Sequence, residues 1–284
     1  SPHPRRDFPG HRRRTTLDSN HGSDLGQSNP ALIKRICFTS EVASTHTQDQ
    51  PSATAIATSA GEVRKRIAAY DWVEVRAALD RDGFARLPNL LTTQDCTDLT
   101  HLYPERERFR SFIDMGARQY GEGTYQYFAN PLPPLVRSLR LHLYARLAPV
   151  ANDWSALLSR EPGYPARLET FVERCHQAGQ LRPTPLLLRY ETDGFNCVHQ
   201  DVYGEIAFPF QVAVLLSRSP KDARTSFTGG EFLVSEQRPR QQTQIEALTL
   251  KQGEGLIFAN PFRPVEGDQG AYRAAVKHGV SRVR

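Results

Sequence analysis

Beyond Pro183 the sequence breaks into short apolar runs, each closed by Gly, Pro, Asp or Ser, and this constrains the fold more than anything else in the chain. The runs are Pro185–Tyr190, Phe210–Leu216, Glu231–Val234, Ile245–Leu250, Gly255–Phe258 and Ala271–Arg284. Runs of this length, rich in Val, Ile, Leu and Phe and bounded by turn formers, read as strands rather than helices. Several such strands in succession predict a sandwich or jelly roll.

Upstream the texture is different. Val63, Ile67, Trp72, Val73, Val75, Ala78 and Leu79 place an apolar stripe on a helix that Asp82-Gly83 stops. Phe84–Pro88 reads as a short strand, and Thr92-Thr93-Gln94-Asp95 caps a helix running toward Leu102. Phe109–Phe128 is strand-like but interrupted by glycines, and Pro134–Leu147, Asn152–Leu158 and Pro165–Ala178 read as three helices. The predicted class is α+β, a double-stranded β-helix (jelly-roll) core with an N-terminal helical preface packed on it. Residues 61–284 form one domain, helical over 61–182 and jelly-roll over 183–284. Residues 1–60 are a polar arm with Arg5, Arg6, Arg12, Arg13 and Arg14 clustered in it; apart from the short run Leu32–Phe38 they carry little to pack, and the whole arm is expected to be disordered.

The formal charge of +5 and the pI near 9.1 are mildly basic and partly concentrated in that arm. A solvated tail is favoured over a nucleic-acid contact, because no aromatics interleave with the arginines. The four cysteines, Cys37, Cys96, Cys175 and Cys197, have no paired spacing, so neither a disulfide framework nor a zinc ribbon is implied. No apolar run approaches the roughly 20 residues that cross a bilayer. A soluble, cytoplasmic protein is the expectation, with no membrane partner; oligomeric state is not legible.

The chemistry is carried by His199-Gln200-Asp201 and a distant His278. Extended backbone sends alternate side chains to one face, so His199 and Asp201 converge while Gln200 turns away. A second imidazole from the last predicted strand completes two His and one carboxylate, a set that leaves metal positions open and suits non-haem Fe(II). The metal ligands, and with them the catalytic residues, are therefore read as His199, Asp201 and His278. A His-x-Asp triplet by itself arises readily by chance, so the flanking strand Pro185–Tyr190 and the turn at Asp193-Gly194 supply the discrimination.

In order along the chain, Arg189-Tyr190, Gly194, His199, Asp201, Gly229-Gly230-Glu231-Phe232, Gly253–Phe258 and His278-x-Val280-x-x-Val283 resemble the landmarks of 2-oxoglutarate- and Fe(II)-dependent dioxygenases, closest to the prolyl-hydroxylase-like branch. The resemblance spans about residues 70–284. It implies Fe(II), 2-oxoglutarate as co-substrate and O2, with decarboxylation to succinate and CO2 while one oxygen atom enters a substrate C–H bond. It further implies co-substrate contacts from Tyr190, Gln211, Val280 and Arg282. Tyr190 and Gln211 each have an alternative as packed core groups, and Cys197, which alternates with His199, reads as a packed thiol.

The family pattern puts an Arg or Lys about ten residues past the second His. Here the sequence offers only Arg282 and Arg284, four and six residues past it. An incomplete final strand is thus expected, as is a processed or appended start, since the chain begins at Ser1 and its only methionine is Met115. The leading functional expectation is a hydroxylase of an amino-acid, peptide or other small substrate. The alternatives are a metal-binding jelly roll without catalysis, for want of that anchor, and a dioxygenase directed at nucleic acid.

Overall fold

The structure is a computed structural model that describes residues 31–36, 53–160, 163–202, 204–217 and 227–284. The arginine cluster at residues 5–14 and Tyr203 lie outside the described residues. The elements are β1 (Ala31–Ile36), α1 (Ala53–Ala69), α2 (Trp72–Asp82), β2 (Phe84–Leu87), α3 (Thr93–His101), β3 (Phe109–Asp114), β4 (Gly121–Glu122), β5 (Thr124–Phe128), α4 (Pro134–Leu157) and α5 (Leu168–Gln177). They continue as β6 (Leu186–Tyr190), β7 (Phe195–His199), β8 (Phe210–Leu215), β9 (Phe232–Gln237), β10 (Gln244–Leu248), β11 (Gly255–Ala259), β12 (Phe262–Val265) and β13 (Tyr272–Val280).

Two antiparallel sheets make the jelly roll. One has the order β2-β11-β8-β1-β6-β5-β3, the other β10-β9-β13-β7-β4 with β12 paired to β13. Every residue of β8 and of β11 is buried. Alternation divides β8 between two packings. Phe210 packs on Trp154 of α4 with the rings tilted and 4.5 Å between centroids, so Phe210, Val212 and Val214 face the helices. Gln211, Ala213 and Leu215 face the space between the sheets.

The helical layer shows where local chemistry decided and where packing did. The stripe from Val63 to Leu79 is two helices, not one, because Asp71 caps α2 by accepting hydrogen bonds from the Val73 and Glu74 amides. Gly83 ends α2 at φ 77°, as the Asp-Gly pair predicts. Thr92 and Asp95 form a capping box at α3. Conversely, the helices read separately over 134–147 and 152–158 are one, with Pro149 inside it. Leu147, Ala148, Val150, Ala151 and Trp154 keep one face buried across that proline. Continuous burial of a face outweighs the roughly 3 kcal/mol cost of an interior proline.

The expectation for residues 1–60 is altered in the described portion. Ala31–Ile36 is a strand inside the larger sheet, paired antiparallel with β6 on one side and β8 on the other. Helix α1 likewise begins at Ala53 rather than 61. The final residues follow another course: Val283 exchanges backbone hydrogen bonds with Asp193 and Gly194, and Thr228 with Arg284. Gly229 permits this approach, since a Cβ there would lie 1.9 Å from the Arg282 carbonyl oxygen. The glycine pair thus accommodates the chain end rather than the metal site.

Candidate metal centre

His199 is the last residue of β7 and His278 lies within β13, and the two are direct register partners across an antiparallel pair. Such partners present their side chains on one face at close range. The imidazole centroids are 4.4 Å apart. Gly279 lets the strands approach, because a Cβ there would meet the Asn196 carbonyl oxygen at 2.8 Å. Asp201 follows just beyond the strand end. Its Oδ1 is 3.6 Å from His199 Nε2 and its Oδ2 is 3.1 Å from His278 Nε2. One ligand atom from each of the three residues lies within 4.8 Å of the others. Two imidazoles and one carboxylate on one side of a point fit Fe(II) with positions left for other ligands.

The surroundings orient these donors. The Cys197 carbonyl accepts a hydrogen bond from His199 Nδ1 at 2.7 Å, so Nδ1 carries the proton and leaves Nε2, 3.6 Å from Asp201 Oδ1, as the nitrogen that could serve as a metal donor. Asp201 is held through its backbone: its amide donates to Asn260 Oδ1 at 3.1 Å, and Asn260 Nδ2 donates to the Asp201 carbonyl at 2.7 Å. Gln200 turns to the opposite side, as alternation predicts, and donates to the Pro261 and Val276 carbonyls at 2.9 and 3.0 Å. The His278 ring packs between Phe258, 4.8 Å away, and Phe232, 5.9 Å away and nearly parallel. Asp201 and His278 are buried, while His199 is one third exposed and marks the open side.

A cavity of about 490 Å³ opens at His199 and Asp201. Its walls include Tyr125 and Tyr127 of β5, Leu186 and Leu188 of β6, Asn196 and Cys197 of β7, and the rim residues Arg118 and Tyr120. The two tyrosines of β5 meet edge to face at 5.6 Å, and the Arg110 guanidinium lies 4.3 Å above the Tyr127 ring.

Of the residues proposed to contact the co-substrate, Gln211 sits on the inner face of β8 in register with Phe258. It is 5 % exposed, and its Oε1 is buried with no hydrogen-bond partner among the described residues. Tyr190 is fully buried on β6. Val280 is buried opposite Asn196 and Phe232. Arg282 faces elsewhere: its guanidinium lies 4.5 Å over the Phe195 ring and donates to the Asp193 carbonyl at 2.6 Å, and nearly half of the side chain is exposed. Neither Val280 nor Arg282 lines the cavity. Cys197 does, as an exposed thiol rather than a packed one.

Asn260 and the β5 tyrosines escaped the sequence reading. The Asn260-Pro261 pair after the apolar run Gly255–Ala259 is a turn signal, and nothing local ties it to Asp201, 59 residues earlier.

A family described as "Oxygenase, catalysing oxidative methylation of damaged DNA" matches residues 123–284. Two uncharacterized proteins of Mycobacterium tuberculosis, MT2286 and Rv2227, are each 44 % identical over 157 residues, 55 % of this chain. The chain spans 66 % of their length. Among solved structures, a 2OG-Fe(II) oxygenase-family oxidoreductase from Burkholderia pseudomallei aligns at TM-score 0.42 and 16 % identity, over 76 % of this chain and 86 % of its own. A Pseudomonas putida prolyl-4-hydroxylase aligns at TM-score 0.40 and 11 % identity, over 75 % and 99 %. The family match takes in all three candidate metal ligands and more than half of the sequence: the chain belongs to the Oxygenase-NA family of oxygenases.

Proposed function

We propose that the protein is an Fe(II)- and 2-oxoglutarate-dependent oxygenase that acts on a base in nucleic acid. The observation that carries this reading is the convergence of His199, Asp201 and the buried His278, the first two lining a cavity walled by tyrosines, in a chain of this family.

His199, Asp201 and His278 would hold the iron. Once bound there, Fe(II) supplies the redox chemistry that couples decarboxylation of 2-oxoglutarate to insertion of one O2 oxygen into a C–H bond, with succinate and CO2 as products. The chain's own residues orient and enclose. The Cys197 carbonyl fixes the tautomer of His199, Asn260 fixes the backbone of Asp201, and Phe232 and Phe258 keep water from the buried side of His278.

A nucleobase is favoured over the amino-acid or peptide substrate first considered. The family description names damaged DNA. Tyr120, Tyr125 and Tyr127 offer aromatic faces and edges to a planar ring, and Arg118 stands exposed at the rim where a phosphate would pass. A base reaches such a cavity from a single strand or by being turned out of a duplex, and aromatic stacking supplies about 1–3 kcal/mol per base.

The test is succinate formation with Fe(II), 2-oxoglutarate and one of three additions: a methylated single-stranded oligonucleotide, its unmethylated counterpart, or a proline-containing peptide. Turnover stimulated by the methylated strand and absent in His199→Ala and His278→Ala is the expected result. Stimulation by the peptide alone overturns the substrate, and turnover that survives both substitutions overturns the site.

A further inference from the structure

Among the described residues strand β3 is the outer edge of the larger sheet, and its pairing with β5 slips by one residue between Phe109 and Ser111. Phe109 stands opposite Phe128 and Ser111 opposite Tyr127, so Arg110 is the extra residue of a bulge. In an unbroken ladder Arg110 would share the face of Phe112 and turn away from Tyr127. The bulge re-aims it. Its guanidinium lies 4.3 Å from the centroid of the Tyr127 ring, and its Nε donates to the Pro183 carbonyl at 2.9 Å.

Tyr127 and its register partner Leu186 on β6 both wall the cavity that His199 and Asp201 line. The face of an aromatic ring is electron-rich and attracts a cation. Over Tyr127 a guanidinium is already seated, so it takes up that attraction and adds a positive charge beside the wall. The arginine thereby changes what the wall can receive.

The rest of the lining points the same way. Among the described residues that line the cavity, the one carboxylate is Asp201, a candidate metal ligand, and the one arginine or lysine is Arg118 at the mouth. Gln119 and Asn196 supply side-chain amides, which donate and accept hydrogen bonds without carrying charge. Such a lining suits the edge of a neutral heterocycle. A cationic base would have to compete with the metal for Asp201, and burying an unpaired charge is costly.

Methylation of a base on carbon or on its exocyclic amine leaves it neutral, whereas methylation of a ring nitrogen such as adenine N1 or cytosine N3 makes it cationic. We propose that the cavity selects a neutral methylated base over a cationic one, and that Arg110, stacked on Tyr127, sets this preference. The inference rests on the nucleobase reading above and deepens it by naming the charge class of the base.

The experiment is fluorescence anisotropy on the Mn(II)-loaded full chain at neutral pH, with single-stranded oligonucleotides of one sequence. At one position they carry N6-methyladenine or its cationic isomer 1-methyladenine, 5-methylcytosine or its cationic isomer 3-methylcytosine, or the unmethylated base. Isomers share one backbone, so phosphate contacts cancel between them. The unsubstituted chain binds the neutral isomer about 10-fold more tightly in at least one pair. Arg110→Gln narrows that difference to within about threefold by tightening the cationic isomer, whereas Arg110→Lys, which keeps the charge, retains part of it. Isomers that bind more tightly than the unmethylated strand but equally to each other overturn the proposal, as does a cationic isomer that binds more tightly than its neutral partner. So does an Arg110→Gln chain that keeps the full difference. Equal weakening of both isomers in Arg110→Gln and Arg110→Lys alike also overturns it, as the mark of a phosphate contact or a merely structural role. Methylated strands that all bind no better than the unmethylated one overturn the nucleobase reading itself, a result distinct from the others.

Discussion

The two sheets of the jelly roll divide the work unequally. The six-stranded sheet brings in His199 at the end of β7 and His278 on β13, strands that are direct neighbours, so two candidate metal donors follow from a single register pair. Among the described residues the seven-stranded sheet holds no candidate metal ligand, yet it supplies wall residues from β5 and β6, and it closes through β1 from the far end of the sequence. One sheet gathers its chemistry by local pairing and the other by long-range assembly. Two ties reach out of the six-stranded sheet, one to the seven-stranded sheet and one to helix α2. Asn260, just after β11, grips Asp201, just after β7. Arg263 of β12 ion-pairs with Glu236 of β9 and donates to the Asp80 and Arg81 carbonyls at the end of α2.

The largest expected effect comes from breaking the register pair. His278→Ala or His199→Ala lowers Fe(II) or Mn(II) affinity by roughly 100-fold or more, since one of three ligands is lost. Metal titration followed by calorimetry checks this, and affinity within threefold of the unsubstituted chain would remove the site.

Next is the tie at Arg263, which is 2 % exposed. Arg263→Ala strands the largely buried Glu236 carboxylate and two carbonyls, and costs roughly 3–5 kcal/mol in denaturant unfolding. A loss under 1 kcal/mol would show that the two layers do not depend on it.

The tie at Asn260 is smaller in stability and larger in function. Asn260→Ala leaves the Asp201 backbone amide and carbonyl without their partner, lowering metal affinity by about 10-fold, with about 1–3 kcal/mol lost in stability. Unchanged metal affinity would mean that Asp201 is positioned by the six-stranded sheet alone.

Acid titration separates these electrostatic ties from the packing. Burial by itself would raise the Glu236 carboxyl, but hydrogen bonds from Arg263 and Arg238 outweigh it and hold the group below its ordinary value. A carboxyl with a depressed folded pKa stabilises the fold at pH above its unfolded value of about 4.3, and that contribution is lost as pH falls through the folded value. Stability therefore declines on acidification below about pH 4, and Glu236→Gln flattens the decline. The smallest effect is expected at the exposed Lys65–Glu62 pair, where Glu62→Gln changes stability by no more than about 0.5 kcal/mol.

The comparison of the two sheets also explains what could be read in advance. His199, Asp201 and His278 were legible because alternation, a local property, predicts convergence of His199 with Asp201, and an apolar strand carries His278. The strands after Pro183 were legible for the same reason, as were the cap at Thr92 and the stop at Gly83. The merging of α4 through Pro149 was not, because a buried face decided it over a local breaker. Nor was the orientation of Arg282: alternation puts it on the side of His278, but β13 ends at Val280 and the chain turns toward Asp193.

The order of residues by itself determined the alternation of layers, the pairing of His199 with Asp201 and the turns between strands, since each depends on side chains a few positions apart. Only the folded molecule decided that Ala31–Ile36 fills the gap between β6 and β8, that Asn260 holds Asp201, and that tyrosines from β5 wall the cavity. Those pairings join segments tens to well over a hundred residues apart. They are selected by the satisfaction of strand edges and by burial of whole faces, quantities that no short window of sequence contains.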